Sequence, residues 1–211
     1  MKRKTILALL LVLSVGVWAQ VPKPLADAES KNVMASLTEA AASMTTLQCH
    51  FVQEKTSSML AEPSVAEGTM HYAKPDMMRW EYTAPYAFAL IVNGERIMKV
   101  TDGKAEELKG GSGRMYQGMV NLIMGSASGK NLFDTTVFDV ALFDDDQFWK
   151  AEMTPKRRDM KRMFSQLVFR FDKKTRGISR VEFKDANGDV TSIRFEDIEL
   201  NEAIGEGLFA E

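Results

Sequence analysis

The sequence predicts a mainly β protein, in which an antiparallel sheet is covered on one face by an amphipathic helix. After residue 45, short runs alternate apolar and polar residues, and turn sequences such as Asn93-Gly94, Asp102-Gly103 and Asn187-Gly188 separate them. Before residue 45, apolar residues recur at three- and four-residue spacing, which is typical of a helix. Strands with such regular spacing favour a sandwich or a barrel-like sheet.

The N-terminal segment has the features of an export signal. The basic stretch Lys2-Arg3-Lys4 precedes an apolar run, Thr5 to Val17, and the residues that follow predict cleavage after Ala19. The run is short for a transmembrane helix, which needs about 20 residues, although a retained membrane anchor is the alternative. We therefore expect 1–19 to be a cleaved signal peptide and 20–211 to form one exported domain.

The charge balance makes nucleic acid an unsuitable partner. The sequence contains 27 basic and 29 acidic residues, and removal of Lys2, Arg3 and Lys4 leaves 24 against 29, a formal charge of −5. A mildly acidic domain is a poor binder of nucleic acid. The one cysteine, Cys49, excludes an internal disulfide. It alternates with Leu47 and Phe51, which predicts a buried apolar residue rather than a reactive thiol.

One helix precedes the strands. Pro24 to Met44 has the periodicity of an amphipathic helix, with Val33 and Leu37 on its apolar face. Such a face must be buried against the sheet. Alternation then predicts strands at Leu47–Lys55, Thr69–Ala73, Met77–Tyr82, Tyr86–Val92, Arg96–Thr101, Lys104–Leu108, Thr136–Phe143, Phe148–Thr154, Phe164–Asp172, Ile178–Lys184 and Val190–Leu200.

A second, short helix is predicted from Met115 to Met124. Apolar side chains cover much of its circumference, and glycine-rich segments precede and follow it. Such a helix is either part of the core or a lid over something apolar. From the residues alone, the core is the favoured interpretation.

No motif in the sequence indicates an enzyme. His50 and His71 are the two histidines, and neither has the spacing of a metal site. The sequence has no Gly-x-Ser-x-Gly elbow, and its glycine-rich segments lack the Gly-Lys-Ser/Thr ending of a phosphate loop. We expect no catalytic residue, metal or cofactor.

Methionine is used heavily, with 14 residues in the chain. Its side chain is unbranched and polarizable, and surfaces that bind several apolar partners often contain many methionines. The alternative is that methionine only fills a core.

One stretch of the sequence resembles a known family. Its motif residues, in order, are Phe51, Gln53, Gly68, Lys74-Pro75, Arg79-Trp80-Glu81-Tyr82, Pro85 and Asn93-Gly94. Together they resemble LolA, the periplasmic carriers of outer-membrane lipoproteins, and the rest of the chain is similar in length and strand rhythm. The resemblance implies an unclosed antiparallel half-barrel, a curved sheet of about 10–11 strands, covered by the N-terminal helix and short helices.

The resemblance also implies a site for acyl chains between sheet and lid. On the sheet it would be formed by Phe51, Met70, Met78, Trp80, Phe88, Leu90 and Met98, and on the lid by Met115, Met119 and Ile123. The residue before the first proline of the motif is often arginine in the family, where it is thought to hold the lid closed. Here it is Lys74, which offers a point charge instead of a planar fork of donors.

The function implied by the resemblance is lipoprotein transport without chemistry. Such a monomeric carrier takes acylated lipoproteins from an inner-membrane ABC-type release complex and passes them to an outer-membrane acceptor. The first alternative is another lipid or lipid-linked cargo in the same fold, and the second is a structural β module whose methionines are only core. The last alternative is an exported hydrolase, which an esterase screen would test.

A basic run from Lys156 to Met163 lies between two predicted strands. Arg157, Arg158, Met160 and Arg162 are candidates for contact with anionic headgroups or an acidic partner. A solvated loop is the alternative, and it is favoured because charged loops are common.

Overall fold

The computed structural model describes residues 21–109, 125 and 132–210. In these residues, helix α1 spans Asp27–Ser43, a short helix α2 spans Arg158–Lys161, and a 3-10 helix spans Glu206–Phe209. The strands are β1 (Lys23–Pro24), β2 (Thr46–Thr56), β3 (Ser64–Ala73), β4 (Met77–Ala84), β5 (Phe88–Asn93), β6 (Arg96–Thr101), β7 (Lys104–Glu107), β8 (Phe138–Asp145), β9 (Phe148–Pro155), β10 (Phe164–Asp172), β11 (Ile178–Asp185) and β12 (Val190–Leu200).

The described strands form one curved, unclosed antiparallel sheet with the order β1-β8-β9-β10-β11-β12-β2-β3-β4-β5-β6-β7. Its centre is the pairing of β12 with β2, which joins the last strand to the first strand after α1. Every strand that alternation predicted is present, with ends that differ by a few residues. The mainly β, half-barrel fold class is thereby confirmed.

The sheet contains 12 strands within the described residues, against the expected 10–11. The additional strand is β1, where Lys23 pairs with Asp144 and Pro24 with Phe143. The same pairing corrects the predicted start of the helix at Pro24. Because Leu25 N–H donates to the carbonyl of Leu142 at 2.9 Å, this segment is held extended and α1 begins only at Asp27.

Two clusters of buried apolar residues lie on the inner face of the sheet. Val33 and Leu37 of α1 belong to the first cluster, with Leu167, Phe169 and other residues of β8 to β11. The second is formed mainly by β2 to β6: Cys49, Phe51, Met70, Met78, Trp80, Leu90, Val92, Ile97 and Ile193. Phe183 and Phe195 pack against both clusters, so the inner face is one continuous apolar surface.

The outer face is also covered near β4 and β5. The 3-10 helix packs there, with Phe209 only 2% exposed. Arg79 Nη1 donates to the carbonyl of Leu208 at 3.3 Å, and Asn93 Nδ2 donates to that of Phe209 at 3.3 Å. This cover buries Ile91 on the outer face of β5.

Among the residues that the structure describes, no helix combines the length and hydropathy that crossing a bilayer requires.

Candidate functional site: an apolar cavity under the helix

A cavity of about 110 Å³ lies between α1 and the inner face of the sheet. The helix lines it with Leu37, Ala40, Ala41 and Met44. The strands line it with Leu47, Cys49, Met70, Trp80, Phe169, Phe171, Ile178, Val181, Phe183, Ile193, Phe195, Ile198 and Leu200. Since almost all of these groups are hydrocarbon or aromatic, the cavity suits an apolar ligand.

The cavity lies toward the end of the sheet where β2 begins and β12 ends. Leu47 and Leu200 pair with each other at that end and both line the cavity. The β10–β11 turn, Thr175 to Gly177, contributes the polar part of the lining. We call this end of the sheet the near rim.

Aromatic stacking fixes the wall of the cavity at β2 to β4. The rings of Phe51 and Trp80 stack with centroids 4.2 Å apart, and Phe195 meets Trp80 edge-on at 6.2 Å. Tyr82 extends the cluster, and its hydroxyl donates to Gln53 Oε1 at 2.9 Å. Aromatic pairs with this geometry stabilise a packed cluster beyond their buried area, so this side of the wall is well ordered.

Two side chains of the near rim hold α1 on the sheet. Lys74 Nζ donates to the carbonyl of Ala42, in the last turn of the helix. A cation there also interacts favourably with the negative end of the helix dipole. Arg176 Nη1 donates to Ser36 Oγ at 3.4 Å, one and a half turns earlier. Lys74 and Arg176 therefore attach the helix at two separate points along its C-terminal half.

Cys49 lies in the cavity wall as a neutral thiol. Burial raises the pKa of this thiol to about 12, which is only partly offset by a hydrogen bond with the backbone of Met70. A thiol is nucleophilic only as the thiolate, so Cys49 acts as a small apolar residue at neutral pH.

The histidines do not converge on a site. His50 is exposed, with Nδ1 3.3 Å from Asp197 Oδ2. His71 lies on the outer face, directly across from Arg79 on the neighbouring strand. The pKa of His71 is lowered, first by burial and then by the positive charge of Arg79. Within the described residues, no group of three histidine, cysteine or acidic side chains is arranged to hold a metal ion.

The structure places the sequence-predicted site residues in three ways. Met70 and Trp80 line the cavity itself. Phe51, Met78, Phe88 and Leu90 lie on the same face in the second apolar cluster, beside the cavity rather than in its wall. The predicted lid residues Met115, Met119 and Ile123 lie outside the described residues.

The prediction that Met98 belongs to the inner face is wrong. In the β5–β6 hairpin, Ile97 pairs with Val92 on the inner face, so its neighbour Met98 pairs with Ile91 on the outer face. Arg96 Nη2 lies 3.8 Å from the Met98 sulfur there. The position of the turn sets this register, and a shift of one residue reverses the face of every side chain.

Met160 also differs from expectation. The basic run contains α2, which directs Met160 against the first apolar cluster, so it is half-buried and not an exposed apolar tip. Arg157, Arg158 and Arg162 are exposed, and so is Met163.

Sequence reasoning missed half of the cavity wall. The missed residues lie on strands that the alternation predicted correctly. Their positions on the apolar side of those strands could have identified them as inward-facing: Phe169, Phe171, Val181, Ile193 and Phe195. The resemblance directed attention to β2 to β6, whereas the cavity lies mainly between α1 and β10 to β12.

Comparisons with known sequences agree with this architecture. The profile of the family described as "Outer membrane lipoprotein carrier protein LolA" matches residues 42–210. The outer-membrane lipoprotein carrier protein of Methylobacillus flagellatus is 26% identical over 168 residues, which cover 79% of this chain and 78% of that protein. The protein of the same name from Neisseria meningitidis serogroup C is 24% identical over 151 residues, covering 68% and 66%.

Two solved structures share the fold. The Pseudomonas aeruginosa MucA/MucB complex matches with a TM-score of 0.53 and 13% identity, over 87% of this chain and 61% of that chain. An uncharacterized conserved protein from Thermus thermophilus matches with a TM-score of 0.51 and 10% identity, over 87% and 93%. The family profile spans most of the chain, which confirms the resemblance seen in the sequence. This protein belongs to the family of outer membrane lipoprotein carrier protein LolA.

Proposed function

We propose that this protein shields the acyl chains of lipoproteins and carries them through the periplasm from the inner to the outer membrane. The observation that carries the proposal is the apolar cavity between α1 and the sheet, in a chain of this family. The relatives named above are outer-membrane lipoprotein carrier proteins.

In this proposal the protein is an exported monomer. Residues 1–19 are a signal peptide that is cleaved on export, and 20–211 form one carrier domain. The protein takes acylated lipoproteins from an ABC-type release complex in the inner membrane and passes them to an acceptor in the outer membrane. It binds and releases its cargo without an enzymatic step or a cofactor, and it has no role with nucleic acid.

The physical need for a carrier comes from the acyl chains. Each CH₂ group exposed to water costs about 0.8 kcal/mol, so an acylated lipoprotein does not cross an aqueous compartment bare. An apolar cavity replaces that contact with water. Its walls here are mainly aliphatic and aromatic side chains. One face is contributed by α1, whose side-chain hydrogen bonds to the sheet include those of Lys74 and Arg176.

The cavity must widen to accept such a cargo. An apolar cavity of about 150 Å³ accommodates one benzene molecule, whereas the cavity here has about 110 Å³. That volume is too small for even one complete acyl chain. Because the strands are joined by continuous backbone pairing, the part of the described wall that can move is α1, which packs through side chains and the contacts of Lys74 and Arg176.

The test is to identify what the protein carries. Protein purified from the periplasm in the form that the cell exports is analysed by native mass spectrometry, which also measures the N-terminus. A variant, Ala40→Phe, places a phenyl ring in the cavity from α1. Its matched control is Ala35→Phe, on the exposed side of the same helix.

We expect acylated lipoproteins at close to one per protein molecule, with loss of cargo in Ala40→Phe and normal cargo in Ala35→Phe. Free lipid without lipoprotein would overturn the proposed cargo in favour of another lipid. Protein that carries nothing, and whose melting temperature does not change when acyl ligands are added, would overturn the carrier function.

A further inference from the structure

The register of the sheet brings several connections together at the end opposite the near rim, and they include the β6–β7 turn with its exposed Asp102. Thr56 pairs with Val190, Glu67 with Ala84, and Gln166 with Lys184. The connections next to these pairs therefore all leave the sheet at the same end of its strands. We call this end of the sheet the far rim, and we define it by the connections 57–63, 85–87, 156–163 and 186–189 together with Val65 at the start of β3.

The far rim carries most of the large apolar side chains that are exposed in the described residues. They are Met59, Leu60, Val65, Tyr86 and Met163. Met59 is 91% exposed. The turn that presents it is ordered by two hydrogen bonds to Ser57: Leu60 N–H donates to the carbonyl at 3.1 Å, and Met59 N–H to Oγ at 3.3 Å. The turn therefore presents two adjacent apolar side chains to solvent, and contiguous exposed apolar surface marks sites of contact with proteins or membranes.

The same rim carries the basic run. Arg157, Arg158, Lys161 and Arg162 are exposed, next to Met163. The ammonium of Lys156 is engaged by Asp139 Oδ1 at 3.1 Å and by the carbonyl of Thr135. The cations therefore form a cluster beside an apolar tip.

Acidic side chains on the far rim are fewer and are partly engaged. Asp185 Oδ1 accepts the N–H groups of Asn187 and Asp189 within its own turn, and Glu62 is exposed on the β2–β3 connection. At the near rim, the acidic run Asp144 to Asp146 at the β8–β9 turn is engaged by basic side chains. Arg170 Nε lies 3.3 Å from Asp145 Oδ2, and Lys173 Nζ lies 2.7 Å from Asp144 Oδ1. Within the described side chains of the connections that form the far rim, exposed basic residues thus outnumber exposed acidic ones.

We propose that the far rim docks on the surface of an anionic phospholipid bilayer. Met59, Leu60 and Met163 enter the boundary between headgroups and acyl chains, and the arginine and lysine side chains of the basic run bind lipid phosphates. This docking goes beyond the proposed transport, because it uses no residue of the cavity and does not depend on the identity of the cargo.

The spacing of these groups favours a bilayer over a protein as the partner. The β9–β10 and β2–β3 connections are four strand spacings apart in the sheet order, which corresponds to roughly 19 Å along the sheet. A fluid, planar surface receives separate apolar tips at any spacing. A protein partner would need a matching pocket for each tip.

The test is flotation of the exported form of the protein with protein-free vesicles. One set contains phosphatidylcholine only, and the other contains about 30% phosphatidylglycerol, which supplies the anionic surface. We expect binding to the anionic vesicles only, and its loss in about 0.5 M salt, where charges are screened within a few ångströms.

Rim variants and matched controls locate the contact. Each basic side chain near an anionic surface contributes roughly a five-fold change in partitioning, so Arg158→Gln with Arg162→Gln should weaken binding about 30-fold. Met59→Ser with Leu60→Ser should weaken it at least about ten-fold, since several buried CH₂ groups are lost. The controls are Lys31→Gln with Lys174→Gln, and Val21→Ser, which change exposed residues away from the far rim.

Binding that falls in the rim variants and persists in the controls supports the proposal. No binding to anionic vesicles would overturn it, and so would equal binding by the rim variants and the wild type. Binding only to native membranes that retain their proteins would replace the bilayer with a protein receptor. None of these results depends on whether the cavity carries lipoproteins.

Discussion

The ring of Phe51 occupies the space that a side chain at residue 68 would need. Phe51 and Gly68 are register partners in β2 and β3. A Cβ atom added at Gly68 would lie 2.8 Å from Phe51 Cζ and 1.9 Å from the carbonyl oxygen of Glu81. Since Phe51 also stacks on Trp80, these motif residues act as one packing unit next to the cavity.

Gly68→Ala should therefore destabilise the protein strongly. The clash is with backbone as well as with the ring, so β3 must move away from β4, and we expect the free energy of unfolding to fall by about 3 kcal/mol. Urea unfolding followed by tryptophan fluorescence measures it. The control is Gly205→Ala, since the backbone there has φ −62° and no atom lies within 4 Å of an added Cβ. Equal stability of the two variants would contradict the packing described here.

Lys74→Met should loosen α1 without disturbing the sheet. The substitution keeps an apolar stem and removes the donor to the Ala42 carbonyl. We expect a loss of about 1 kcal/mol in unfolding free energy, and faster binding of a fluorescent fatty acid in stopped-flow measurements. Lys74→Arg retains a donor and should behave like the wild type. Lys31→Met, which removes an exposed charge from the same helix, is the control, and the proposed latch fails if both Met variants behave alike.

Cys49 should be unreactive in the closed protein. With a pKa of about 12, about one thiol in ten thousand is ionised at pH 8, and burial blocks access as well. A thiol-specific reagent should label the protein only after unfolding. The sequence has one cysteine, so the labelled fraction needs no further assignment. Rapid labelling of the native protein at pH 8 would show that the cavity wall opens readily, against the structure.

His71 should make the protein less stable in mild acid. Burial, then the charge of Arg79, lowers the pKa of His71 below its ordinary value of 6.5 in the folded state, so the unfolded chain binds more protons as the pH falls below 6.5. The unfolding free energy should then decrease from pH 7 to pH 5. Its Nδ1 is buried, and within the described residues it has no hydrogen-bond partner.

Replacement of this group identifies its contribution. His71→Gln should remove most of the decrease between pH 7 and pH 5, whereas His50→Gln, at an exposed position, should retain it. The pKa of the nearby Glu81 carboxyl is held below 4.5, chiefly by its hydrogen bonds with Arg79, so Glu81 contributes mainly below this pH window. An unchanged slope in His71→Gln would contradict the assignment.

Local periodicity was sufficient to find the strands. Most strands from β2 to β12 have a half-buried surface, so apolar and polar residues alternate along them and turn residues mark their ends. The exceptions are β7, which is exposed throughout, and β5, which is buried at four consecutive residues; these two are marked by the turns beside them. Strand β1 was missed because a strand of two residues is too short to show an alternation of apolar and polar residues. It forms only by pairing with β8, which is more than one hundred residues away in the sequence. The helix began later than expected for the same reason, since that pairing keeps Pro24 extended.

The candidate site was only partly predictable. The face of Met98 depends on the register of the β5–β6 hairpin, and the burial of Met160 depends on where α2 packs. Both are consequences of contacts between segments that the alternation of one segment does not encode.

The sequence by itself determined the fold class, the family and which residues of the long strands are apolar and face the same side. All three depend only on local residue patterns and on the spacing of motif residues. The tertiary structure decided where the cavity lies, that Lys74 and Arg176 attach α1 beside it, and that Met59 and the basic run share one rim. These features join residues that are far apart in sequence, 32 positions for Lys74 and Ala42 and 140 for Arg176 and Ser36. Only the order and register of the sheet bring such residues together.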